Sequence, residues 1–81
     1  MHYYGDGGPG PHTKLLRVGA PDGCDERTWW SAPAFQWTPA GGWFPDSDAQ
    51  GKIRCLGEFF LIDESEVPDI QQQMIARYMA I

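Results

Sequence analysis

The sequence predicts an α+β fold, a small antiparallel sheet of about four strands with one C-terminal α-helix packed on one face. Three observations carry this. Fifteen of the seventeen Gly and Pro residues fall in residues 1–51, which favours short strands joined by turns over long helices. Six large aromatics lie between Glu26 and Phe44 and suit a pleated surface. The final third, by contrast, repeats its apolar residues at helical spacing. With 81 residues and no internal repeat, one domain is expected over 1–81, divided into an arm (1–12), a strand and turn region (13–62) and a helix (67–81).

Taking the elements in order, Gly5 to Pro11 holds four glycines and two prolines, so residues 1–12 read as a flexible arm. A phosphate-cradling loop would also be glycine-rich, but the Lys-Ser/Thr ending and a following helix pattern are missing. Thr13 to Val18 reads as the first strand, with Lys14, Leu16 and Val18 on one face and Leu15 and Arg17 on the other. Ala20-Pro21-Asp22-Gly23 supplies a turn. Pro33 and Pro39 interrupt any helical period in the aromatic region, so strands are placed near 27–31 and 34–38, followed by a turn at Pro39 to Gly42. After a loop at Pro45 to Gly51, Lys52 to Ile62 reads as the main strand, with Ile53, Cys55, Phe59 and Leu61 on one face and Gly57 as a bulge. Its second half is apolar on both faces, which suits a central strand or one covered by a partner. Pro68 to Ala80 forms the helix: Pro68 fits the first helical position, Asp69 the positive end of the dipole and Arg77 the last turn. Ile70, Met74, Tyr78 and Ile81 make its apolar stripe.

Composition bounds the function. Leu, Ile, Val and Phe total only fifteen, yet eleven aromatics supply apolar area, so a folded domain with an aromatic core is expected. Six basic against eleven acidic residues give a net charge of −5 and a pI near 4.6. That balance disfavours direct nucleic-acid binding, which draws on Lys and Arg to displace counterions. The chain has neither a polybasic run nor an apolar stretch of the roughly 20 residues needed to span a bilayer, and its start lacks the pattern of a secretory signal. No membrane association and a cytoplasmic location are therefore expected.

No metal, cofactor or catalytic set is predicted. Cys24 and Cys55 are separated by thirty residues and His2 and His12 by nine, neither of which is zinc-ligand spacing. Cys55 on the main strand should be buried and inert, although a Cys24–Cys55 disulfide is topologically allowed. Both histidines fall in the arm, where chemistry could not be held in place.

Binding is the remaining class. Four Trp exceed what so small a core readily hides, and Trp is enriched at binding hot spots. Trp29, Trp30, Trp43 and Phe44 are the candidate contact residues, joined by the acids Glu58, Asp63, Glu64 and Glu66. The expected function is a non-enzymatic protein-binding module that docks on a larger protein, with a basic surface as the fitting partner. Its size class suggests a small regulator or inhibitor of viral or mobile-element type. The alternatives are a self-associating structural subunit, a homodimer formed through an uncovered sheet face, and an acidic mimic that occludes a nucleic-acid-binding site.

Overall fold

The computed structural model describes residues 1–7, 12–20, 25 and 27–80. Among the described residues the sheet has five strands rather than about four: β1 (His2–Gly5), β2 (Leu15–Val18), β3 (Ala34–Thr38), β4 (Gly42–Pro45) and β5 (Phe60–Ile62), in the order β4-β3-β2-β1-β5 with every pairing antiparallel. The α-helices α1 (Ala49–Leu56) and α2 (Val67–Met79) accompany it.

The first correction concerns the N-terminus. Residues assigned to a flexible arm form β1, inserted between β2 and β5, with Tyr3 opposite both Arg17 and Ile62. Tyr3 and Tyr4 suit a pleated ladder, and the hairpin that follows is tied by Asp6. Its Oδ1 accepts the backbone N–H groups of Thr13 and Lys14, both at 2.8 Å, and its Oδ2 accepts the Thr13 hydroxyl. Burial pushes the Asp6 pKa up, but these bonds outweigh it and leave the carboxyl below its ordinary value. Gly5 is closely enclosed: a Cβ there would overlap the His12 ring and the Ile62 methyl, which would have to shift.

β2 is the middle strand and buries Leu15, Leu16 and Val18 completely. Consecutive buried residues require both faces to be covered, and the pairing registers show what covers them. Strand alternation puts Tyr3, Leu15, Trp37, Trp43 and Ile62 on one side and Tyr4, Leu16 and Ala34 on the other. Val67, Ile70 and Met74 of α2 join the first set, with Ile75 partly buried beside them. Ala49 and Ile53 of α1, with Phe59, join the second. The second face, expected to lie open for self-association, thus carries a helix.

That helix is the second correction, since Lys52 to Ile62 is not one strand. Ala49 to Leu56 is helical, Gly57 caps it in the left-handed region at φ 68°, and only Phe60–Ile62 is extended. Gly57 is a C-terminal helix stop, not a strand bulge. Ala49, Gln50 and Ile53 face inward at helical spacing, and Cys55 lies exposed as a free thiol instead of buried.

The third correction lies at 27–31. Asp25 Oδ1 accepts the backbone N–H groups of Arg27 and Thr28 at 3.0 and 3.1 Å, which nucleates a turn, and Trp29–Ser31 continues as a 3-10 helix. The strand expected at 34–38 is β3. The turn after it returns through Gly42 at φ 71° into β4, a strand the sequence reading did not place. The helix expected from Pro68 starts one residue earlier, while Tyr78 of the expected stripe is exposed and Ile81 lies outside the described residues. The Pro21 turn and Cys24, and with it the Cys24–Cys55 pairing, also lie outside them.

Candidate docking surfaces

The four tryptophans divide by position. Trp29 and Trp37 are buried, Trp43 is half-buried and Trp30 is 58% exposed. Adjacent residues in a 3-10 turn are separated by about 120° around the axis, so burying Trp29 aims Trp30 away. The Trp29 indole is 4% exposed, and its Nε1–H donates to the Tyr4 hydroxyl at 3.0 Å. The Arg54 guanidinium of α1 lies 5.0 Å from the Trp29 ring centroid. Gln50, also from α1 and buried, donates through Nε2 to the carbonyls of Trp29 and Ala32 at 3.3 and 2.8 Å. The turn is fixed at both its backbone and its inner indole.

Trp30 stands on this base with its ring edge-on to Trp29, centroids 5.0 Å apart and planes at 89°. Beside it opens a shallow cleft of about 380 Å³ lined by Ala32, Pro33, Phe35, Pro45 and Asp46 among others. Asp46 is held by Lys52, whose Nζ donates to Oδ2 at 2.8 Å. Burial raises the Asp46 pKa, but the Lys52 bond and the Asp48 backbone N–H pull it below the ordinary value.

Trp43 and Phe44 belong to β4. The Arg17 guanidinium sits 4.4 Å from the Trp43 ring centroid and 4.5 Å from that of Phe35, so two rings bracket the cation. Tyr3 also packs against Trp43, with ring centroids 6.0 Å apart. Trp43 therefore serves the sheet surface as packing, and Phe44 on the opposite face of β4 is exposed.

The acids lie elsewhere. Glu58, Asp63, Glu64 and Glu66 are all exposed and flank β5, whose Phe60 and Leu61 are 54% and 68% exposed. Hydrogen bonds from the Ser65 hydroxyl and backbone N–H lower the Asp63 pKa, against slight desolvation. β4 and β5 are opposite edges of the sheet, four inter-strand spacings or about 19 Å apart. Trp43 and Phe44 of β4 and the acids beside β5, which the sequence joined into one contact surface, thus lie at opposite edges of the sheet. Phe60 and Leu61 were missing from that contact surface: apolar residues on both faces suit a central strand or one covered by a partner, whereas β5 is an edge strand and leaves both exposed.

Among the described residues, no three His, Cys, Asp or Glu side chains gather where a metal ion could sit, and no helix is long and apolar enough to cross a membrane. Compared with known proteins, the chain matches no family model, no curated protein and no solved structure.

Proposed function

We propose that the protein is a non-enzymatic protein-binding module that docks on a larger protein, acting as a small regulator or inhibitor, with Trp30 as its anchor. The observation that carries this reading is the exposed Trp30 ring seated on the buried, hydrogen-bonded Trp29. An indole already held in position loses little side-chain entropy on binding and offers a large apolar area with a free N–H donor. The adjoining cleft, walled by Pro33, Phe35 and Pro45, gives a partner's side chain a place to insert, and the pairing of a hot-spot ring with a neighbouring pocket is a recurrent feature of protein interfaces.

The test is capture of the partner from native host extract, followed by calorimetry with the purified pair. Trp30→Ala should keep the circular dichroism of the parent and lose about 2 kcal/mol or more of binding, roughly thirtyfold in affinity. Unchanged affinity in a folded Trp30→Ala variant would refute the assignment.

A further inference from the structure

The two sheet edges are protected unequally. β4 ends in Pro45 and starts at the tight Gly42 turn, both of which discourage further pairing. β5, three residues long, carries neither a Pro nor a tight glycine turn. Among the described residues nothing pairs with its outer side, and Phe60 and Leu61 project exposed from opposite faces of the same strand. An edge of this kind is a template for an added strand.

Charge decides what can add. Residues 55–76 contain no Lys or Arg, whereas Glu58 precedes β5 and Asp63, Glu64 and Glu66 follow it. A second copy pairing antiparallel along β5 would bring Glu58, just before the strand, and Asp63, Glu64 and Glu66, just after it, close to the same acids of the other chain, and like charges brought together repel. The edge thus discriminates against its own duplicate and favours a strand with cations in those places. At the end of the β1–β5 ladder a groove of about 380 Å³ has Met1, Tyr3, Leu61, Asp63 and Glu64 among its walls. Apolar side chains beside two carboxylates match the aliphatic stem and cationic head of Lys or Arg. Both Ser65 bonds to Asp63 fall on Oδ2, which leaves Oδ1 to accept from a partner.

We infer that the outer edge of β5 accepts an extended segment of another protein as a sixth strand, one with an apolar stretch bounded at each end by Lys or Arg. The inference does not rest on Trp30. The probe is a short synthetic peptide of alternating Val and Thr with Lys at both ends, compared with its counterpart carrying Glu at both ends. Binding is read by fluorescence anisotropy, and its location by amide hydrogen exchange at Phe60–Ile62. The Lys-ended peptide should bind at least about tenfold tighter, weaken with salt and slow exchange in β5. The double variant Glu58→Lys/Glu64→Lys, checked for fold by circular dichroism, should reverse the preference. Trp30→Ala should bind the peptide as the parent does. Equal binding of both peptides, no protection of β5, or a concentration-dependent dimer that Leu61→Lys dissolves would overturn the inference.

Discussion

The Arg17 guanidinium and the Trp43 ring lie 4.4 Å apart across β3, and the Nε of Arg17 is buried without a hydrogen-bond acceptor. The residue therefore acts through stacking and stem burial more than through ion pairing. Arg17→Ala should cost about 1 to 3 kcal/mol in urea unfolding. Arg17→Met keeps the stem and removes the orphaned donor, so it should cost less than about 1 kcal/mol. A Met variant as unstable as the Ala variant would contradict this account of the site.

Gly51 and Gly57 give opposite predictions. Gly51 lies inside α1 with open space where a Cβ would project, whereas Gly57 caps the helix at φ 68°. Gly51→Ala should stabilise by up to about 1 kcal/mol, and Gly57→Ala should destabilise by about the same amount. Gly5→Ala should be worse than either, because the His12 ring and Ile62 must move. Thermal midpoints of the three variants check the order, and a destabilising Gly51→Ala would count against the helix.

Acid sensitivity follows from Asp6, Asp46 and Asp63, all of which have lowered pKa values in the folded chain. A carboxylate with a depressed folded pKa adds stability above its unfolded value of about 3.9, and that contribution is lost as pH falls through the folded pKa. The urea midpoint should thus respond little to these groups above about pH 5 and fall with them below about pH 4. Asp6→Asn should flatten part of that fall. Titration of the Asp6 carboxyl by NMR at or above the ordinary value would contradict the hydrogen bonds assigned to it.

Leu15 and Leu16 are neighbours in β2 but belong to separate apolar clusters, the first with Met74 of α2 and the second with Ala49 of α1. Each truncation to Ala should cost about 2 to 5 kcal/mol. Leu15→Ala combined with Met74→Ala should depart from additivity by about 0.5 kcal/mol or more, while Leu16→Ala with Met74→Ala should add. Equal coupling in the two double-mutant cycles would argue against separate clusters.

What could be read from the sequence depended on how long each pattern ran before interruption. β2, β3 and α2 were legible because Leu15 to Val18, Ala34 to Thr38 and Pro68 to Met79 keep one period between clear breakers. β1 was hidden because only four residues precede a Gly-Pro tract, and one of its two partners is β5, far along the chain. α1 was misread because the few residues from Lys52 to Leu56 fit alternation as well as a helical period, and Gly57 is compatible with a bulge or a cap. The exposure of Trp30 was foreseeable from tryptophan number. The separation of Trp43 and Phe44 from the acids was not, since sheet order is set by pairings between distant segments.

Exchange of the indole Nε1 protons, followed by NMR in D₂O, tests the 3-10 turn at the centre of this account. The Trp29 proton, buried and donated to the Tyr4 hydroxyl, should persist long after that of Trp30 has exchanged at nearly the rate of an unstructured peptide. If Trp30 is protected as well as Trp29, or Trp29 exchanges as fast as Trp30, the outward indole on which docking depends does not exist.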